Sequence, residues 1–137
     1  MIVSGEVVGR WVCAKAGSKW SEHCRAIGWL SKGELVIGVM YDGYTGASIA
    51  MHARCDDPSR VSRKFYQAIF SYPFDQLRVK RVTALVSSTN LHAQQVDEKL
   101  GFVQEAVLSD YFEDGDGIVY IMRREDCRWL SKDRSHD

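Results

Sequence analysis

The stretch SSTNLHAQQVDEKLGF, residues 87–102, follows a short apolar run and decides the fold. Asn90 is a good N-cap, because its side-chain oxygen can accept a hydrogen bond from a free amide of the first helical turn. An apolar stripe follows at Ala93, Val96 and Leu100. Gly101 suits the left-handed position at which many helices end. The segment therefore predicts a buried strand that turns directly into a capped amphipathic helix.

The rest of the chain predicts strands and helices on both sides of this segment. The predicted strands are Ile27–Ser31, Glu34–Tyr44, Ala47–Arg54, Arg81–Val86, Val103–Phe112 and Ile118–Arg124, the last two joined by a turn at Glu113–Gly117. The predicted helices are a short one at Gly9–Ala16, one with the apolar stripe Val61–Tyr72 that stops at Pro73, and the one after Asn90. The nearly continuous apolar run at Arg81–Val86 predicts a central strand covered on both faces. This order predicts an α+β domain, in which helices pack on a mixed sheet.

Composition limits the classes of protein to consider. With 137 residues, 45% hydrophobic and 26% charged, the chain resembles a single soluble globular domain. We expect this domain to span residues 1–130 and residues 131–137 to form a polar tail. The 18 basic residues balance the 18 acidic ones, so the net charge predicts neither nucleic acid nor a membrane as partner. No stretch resembles a membrane span or a secretory signal, which predicts a cytoplasmic protein.

The cysteines give no sign of a metal site or a disulfide framework. They are widely spaced, without a Cys-x-x-Cys pair, at Cys13, Cys24, Cys55 and Cys127. Histidines lie close to two of them, but a closed zinc site needs four ligands, usually in paired motifs. We therefore expect no metal and no disulfide.

The pattern Asn90-x-x-Ala93-x-x-x-x-x-Lys99-Leu100-Gly101-Phe102 after a hydrophobic strand resembles the GNAT superfamily of acyl-CoA-dependent N-acetyltransferases. This resemblance, over roughly residues 27–124, implies a largely antiparallel sheet with two splayed central parallel strands and flanking helices. Acetyl-CoA, as co-substrate, is then expected between Ala47–Arg54 and Arg81–Ser87, against the main chain of Ala53 and Arg54. Asn90 is expected to help hold it, or else only to cap the helix.

The family's glycine-rich pyrophosphate loop corresponds by position to Asp57–Ser62, which contains no glycine. Pro58 suits the first position of a helix and leaves the following amides, up to Val61, without helical partners. Cationic side chains that can bind phosphate lie close by, at Arg54, Arg60, Arg63 and Lys64. The resemblance thus implies a CoA-binding loop that includes Arg60, Val61, Ser62 and Arg63. Alternatively, Asp57 caps those amides and the loop starts an ordinary helix.

Two residues are candidates for acid–base catalysis. Many family members have a tyrosine three residues before the leucine of Leu-Gly-Phe, which protonates the leaving thiolate; here that position is Asp97. A carboxyl group can do this only if burial raises its pKa toward neutrality. For the general base we choose His52, which shares one strand face with Ser48, Ala50 and Arg54 and has an ordinary pKa near neutrality.

The resemblance implies transfer of an acetyl group from acetyl-CoA to a primary amine, which attacks the thioester directly. The alternatives are a GNAT-like CoA- or partner-binding protein without activity, and an enzyme of this fold that modifies nucleic-acid bases. The C-terminal stretch Arg124–Leu130 resembles that of small GNAT-like proteins of bacteriophages. The acceptor is expected to be a small molecule or peptide, and an exposed final hairpin suggests a homodimer.

Overall fold

The computed structural model describes residues 1–131, so residues 132–137 of the predicted polar tail lie outside the described residues. Seven strands and three α-helices follow in the order β1 (Ile2–Ser4), α1 (Glu6–Ala16), β2 (Arg25–Ser31), β3 (Glu34–Asp42), β4 (Ser48–Cys55), α2 (Arg63–Ser71), β5 (Arg81–Ser87), α3 (Leu91–Leu100), β6 (Val103–Phe112) and β7 (Gly115–Arg123). Short helical turns occupy Pro58–Arg60, Tyr72–Gln76 and Arg124–Asp126. Within residues 1–131, no helix combines the length and apolar character required to cross a membrane.

All seven strands form one sheet, in the order β1-β2-β3-β4-β5-β7-β6. Among the strands of residues 1–131, the pair β4–β5 is parallel and the other pairs are antiparallel. This confirms the predicted α+β class with a largely antiparallel sheet.

The helices cover the sheet on opposite faces. Val8 and Val12 of α1 pack against Met40 of β3. Tyr41, the next residue of β3, belongs to a second core on the other face. This second core includes Ile69 of α2 and Leu100 of α3. Since successive residues of a strand point to opposite faces, α1 lies on one face and α2 with α3 on the other.

The predicted strand and helix bounds hold closely for most elements, but the N-terminal region contains more regular structure than predicted. The sequence did not predict β1, and α1 begins three residues earlier than the predicted Gly9. A strand of three residues has too little pattern to recognise, and it is held by pairing with β2 at Ile2↔Trp29. The amino group of Met1 also donates a hydrogen bond to the carbonyl of Leu30.

The α-helix ends at Ser71, just before Pro73 as predicted, but the helical backbone does not stop there. After α2 the backbone continues through a wider π-helical turn, Tyr72–Gln76, in which the amide of Leu77 donates to the carbonyl of Tyr72. Pro73 has no amide to donate to the carbonyl of Ile69, four residues earlier. The hydroxyl of Tyr41 donates to that carbonyl instead. A side chain from β3 therefore replaces the hydrogen bond that proline removes.

Two further predictions about strands need correction. The turn predicted at Glu113–Gly117 is shorter, because Gly115 already pairs with Phe112 in the β6–β7 hairpin. The central strand β5 is not covered on both faces: Val82 and Ala84 are buried, whereas Thr83 and Leu85 on the other face are only partly so. The reason is that α1 packs mainly over β2, β3 and β4 rather than over β5. β6 lies at one edge of the sheet and exposes Val103, Val107 and Tyr111. The homodimer expected from this exposed hairpin stays a prediction.

Candidate functional site

The central feature of the site is a gap between β4 and β5. The two parallel strands pair only at Ser48↔Arg81, Ile49↔Val82 and Ala50↔Thr83. Beyond these pairs β4 follows β3 as far as Cys55, and β5 follows β7 as far as Ser87. Residues 51–55 of β4 and 84–87 of β5 therefore do not pair with each other. This confirms the predicted splayed central strands.

His52 lies on β4 just beyond the last β4–β5 pair, on the face covered by α1. His52 pairs with Met40 of β3, and Met40 packs against α1. Arg54 lies on the same face of β4 and pairs with Gly38. Both ring nitrogens have partners: Nδ1 lies 3.2 Å from Oγ of Ser18, and Nε2 lies 3.0 Å from Oδ1 of Asp42. The imidazole is 23% exposed and Asp42 39% exposed. The site therefore contains a solvent-accessible histidine held by a serine and a carboxylate.

Asp97 lies on α3, on the opposite face of the sheet, and is only 5% exposed. Burial raises its pKa from 3.8 to about 7, and the negative charge of Glu98 adds to the effect. Glu98 itself accepts a hydrogen bond of 3.1 Å from the hydroxyl of Tyr120. Burial and this bond raise the pKa of Tyr120 to about 12. Asp97 thus carries a proton for about half of the time near neutral pH, as an acid catalyst requires.

No protein-family model matches the sequence, and no curated protein matches it either. Solved structures do match. Spermidine N-acetyltransferase SpeG from Vibrio cholerae superposes with a TM-score of 0.72 at 14% identity, over 98% of this chain and 99% of that chain. An acetyltransferase of the GNAT family from Bacillus anthracis gives 0.60 at 18% identity, over 75% of this chain and 67% of that chain.

A third structure is ribosomal-protein-S5-alanine acetyltransferase from Vibrio fischeri, with a TM-score of 0.61 and 18% identity. The match covers 77% of this chain and 64% of that one, so it spans less than two thirds of that enzyme. The chain has the GNAT fold. At these identities, the likeness extends to the fold alone.

The start of α3 borders the open end of the GNAT wedge between β4 and β5. Oδ1 of Asn90 accepts a hydrogen bond of 3.1 Å from the amide of Ala93, so Asn90 does cap the helix. The helix ends at Gly101 with φ 113°, as predicted. Gln94, which the sequence analysis did not single out, donates from Nε2 to the carbonyls of Ser87 and Ser88, each at 3.1 Å. These bonds fix α3 to the end of β5.

The loop before α2 differs from a GNAT phosphate loop in more than its missing glycines. Asp57 accepts from the amide of Ser59 through Oδ1, at 3.2 Å, and from the amide of Arg60 through its carbonyl, at 3.3 Å. The amide of Val61 donates to the carbonyl of Pro58. The prediction that these amides are left without partners was wrong, because the chain closes a turn of 3₁₀-helix there. Ser62 instead caps α2 by accepting from the amide of Lys64.

The predicted cationic side chains near this loop have different surroundings. Arg54 binds both carboxylate oxygens of Asp56 and stacks on the ring of Trp11. Arg60 donates to Oγ and to the carbonyl of Ser31. Both are thus engaged elsewhere. Arg63 is exposed, with its guanidinium 5.3 Å from the ring centroid of Trp129, and Lys64 beside it is exposed.

Sequence reasoning placed His52 and Asp97 correctly on their strand and helix but missed Ser18 and Asp42. Asp42 pairs with Ala50, two residues from His52, so a known β3–β4 register would have predicted a diagonal neighbour. The five-residue loop between these strands has no turn signature that fixes the register. Ser18 lies 34 residues from His52, and no sequence pattern links them.

Proposed function

We propose that this chain is an N-acetyltransferase that transfers an acetyl group from acetyl-CoA to a primary amine. The observation that carries the proposal is the divergence of β4 and β5 after Ala50 and Thr83. The edge of β4 beyond this point, including Ala53 and Arg54, offers main-chain hydrogen bonds to an extended pantetheine arm, as an added strand would form.

In this proposal His52 and Asp97 act from opposite faces of the sheet. The amine attacks the thioester carbonyl while strand amides polarise the carbonyl oxygen. His52 accepts the amine proton, and Asp42 stabilises the imidazolium that forms. Asp97 donates its proton to the departing thiolate, which its pKa of about 7 permits near neutral pH.

The CoA phosphates are proposed to lie at the start of α2. Arg63 and Lys64 are exposed in the first turn, where the helix dipole also favours an anion. Arg60, Val61 and Ser62 border the same position, while Asn90 borders the pantetheine from α3. Among acceptors, spermidine and an alanine of ribosomal protein S5 are the first to test, because two enzymes of the same fold are named for them.

Calorimetric titration of acetyl-CoA, followed by an assay of CoA release with an amine panel, tests this function. Arg63→Ala combined with Lys64→Ala should weaken acetyl-CoA binding about tenfold or more, because charge-assisted hydrogen bonds to phosphate are lost. Arg10→Ala combined with Arg25→Ala removes the same charge from exposed positions elsewhere and should leave affinity unchanged. Equal affinities for both double variants would remove the α2 start from the site.

A second candidate function is binding of CoA or another partner without catalysis. It is favoured by the loop before α2, where Asp57 and the backbone already use the amides of Ser59, Arg60 and Val61. Tight binding of acetyl-CoA without CoA release for any amine of the panel would support this second function.

A further inference from the structure

The hydrogen bonds of His52 determine which of its nitrogens can accept a proton. A carboxylate has no proton to donate, so Asp42 can only accept a hydrogen bond from Nε2, at 3.0 Å. Nε2 therefore carries hydrogen, and in the neutral ring Nδ1 has the lone pair. That lone pair is directed at the hydroxyl of Ser18, 3.2 Å away.

A base in this state does not contact the amine directly, because the hydroxyl of Ser18 occupies its accepting nitrogen. We propose that Ser18 is a catalytic residue that relays the amine proton to His52, and that Asp42 is the positioning residue that sets the direction of the relay. This inference rests on the proposed acetyl transfer.

The transfer is balanced with one proton moved at each step. The amine nitrogen forms a bond to the acetyl carbon and releases a proton to Oγ of Ser18, whose own proton passes to Nδ1 of His52. The carbon–sulfur bond breaks, and the thiolate takes the proton of Asp97. Afterwards His52 is an imidazolium beside the Asp42 carboxylate, and Asp97 is a carboxylate. His52 then releases one proton to solvent and Asp97 takes one up as CoA leaves, which restores the starting state.

The surroundings of Ser18 hold its hydroxyl in place. It follows Gly17, which ends α1 in the left-handed conformation with φ 76° and donates its amide to the carbonyl of Cys13. On its other side the ring of Trp20 lies against Gly9 of α1. The loop that carries Ser18 is thus anchored at both ends to the helix that covers His52.

The test compares Ser18→Ala, Ser18→Thr and the control Ser21→Ala, using acetyl-CoA and the best amine of the panel. Ser21 lies in the same loop, and its hydroxyl forms hydrogen bonds with Sγ of Cys24 and the amide of His23 rather than with His52. Ser18→Ala should lower kcat about 100-fold, a typical contribution of proton transfer, with the KM for acetyl-CoA unchanged. Ser18→Thr keeps a hydroxyl and should recover most of the loss, and Ser21→Ala should behave as the wild type.

Nitrogen NMR of the His52 ring gives a readout that does not depend on turnover. The wild-type ring should show hydrogen on Nε2, and Asp42→Asn should shift the population toward the Nδ1-protonated form. A ring with hydrogen on Nδ1 in the wild type would overturn the relay.

The kinetic outcomes separate the relay from the function on which it rests. If Ser18→Ala keeps wild-type kcat while His52→Gln loses activity, the relay is wrong and the acetyltransferase stands. Mass spectrometry that finds an acetyl group on Ser18 would replace the relay by a covalent intermediate. If the wild type acetylates no amine, the proposed function fails and the relay with it.

Discussion

The two faces of the central sheet are packed in different ways. Under α1 two glycines of the sheet allow a close approach: a Cβ on Gly28 would lie 2.9 Å from Val8, and one on Gly38 would lie 3.0 Å from Val12. Under α2 and α3 the space is filled by large rings, of which the most deeply buried are Tyr41, Phe65, Phe70, Phe74 and Tyr120. The same sheet thus has a close helix on one side and a thick aromatic core on the other.

This difference explains why the two candidate catalytic groups have different environments. The close approach of α1 brings the loop after it onto β4, where Ser18 reaches His52 in a partly exposed, hydrogen-bonded setting. On the other face, Asp97 of α3 is only 5% exposed, so it is largely removed from water. One group is positioned by polar partners, and the other is tuned by desolvation.

The largest effect on stability is expected from Asp97→Asn, which removes the buried ionisable group from the sheet face covered by α2 and α3, called here the aromatic face. The folded-state pKa of about 7 exceeds the unfolded value of 3.8, so the folded protein binds this proton more tightly. The resulting stability is complete below pH 4 and is lost as pH rises to about 7. The difference between these two pKa values corresponds to a loss of roughly 4 kcal/mol in the free energy of unfolding by pH 8.

Urea unfolding between pH 4 and pH 8 measures this difference. As pH rises, the free energy of unfolding of Asp97→Asn should increase relative to that of the wild type, by up to roughly 4 kcal/mol. Glu113→Gln serves as control, because Glu113 is an exposed carboxyl in the β6–β7 turn and should give a much smaller change. Parallel stability curves for wild type and Asp97→Asn would show that the buried carboxyl has an ordinary pKa.

The next effect concerns the close packing of α1. Gly9→Ala places a Cβ 2.1 Å from the ring of Trp20, so the ring must move. We expect an overpacking cost of up to about 3 kcal/mol, reduced by about 1 kcal/mol because alanine favours the helix. Urea unfolding measures the net change in the free energy of unfolding. As a control, Arg10→Ala changes the next residue of α1, which is exposed, and should alter stability by less than about 1 kcal/mol.

Gly9→Ala also sharpens the comparison between the faces. Moving Trp20 disturbs the loop that carries Ser18, so activity should fall more than stability alone explains, whereas the pKa of Asp97 should stay near 7. A variant as stable and as active as the wild type would mean that the Trp20 contact does not hold this loop.

The sequence predicts the parts of this architecture that depend on local chemistry. Asn90 and Gly101 bound α3 as their capping preferences require, and strand alternation places His52 and Arg54 on one face. Pro73 shows the limit of local rules: proline removes one hydrogen bond, but the outcome depends on whether a distant side chain replaces it. Tyr41 does so from 28 residues away, and no local pattern contains that information.

The candidate site is predictable to a lesser degree for the same reason. The identity of His52 and Asp97 follows from their positions, but the hydrogen-bond partners of His52 and the burial that raises the pKa of Asp97 depend on tertiary packing. The loop at Asp57–Ser62 shows two local rules in competition, because cationic residues favour an anion and Asp57 favours a closed turn. The fold contains the turn, which is the alternative that sequence analysis kept open.

The smallest effect is expected from Tyr41→Phe, which tests how the aromatic face accommodates Pro73. Burial raises the pKa of the Tyr41 hydroxyl well above its usual 10, so it stays a donor to the carbonyl of Ile69. Its removal leaves a buried carbonyl without a partner, and we expect a loss of about 1–2 kcal/mol in urea unfolding. Tyr72→Phe makes the same chemical change in a ring 5.1 Å away and should cost less, because its hydroxyl is not part of this contact. If both variants lose the same amount, the wider turn after α2 satisfies the Ile69 carbonyl by other means, and the aromatic face stabilises the fold by packing alone.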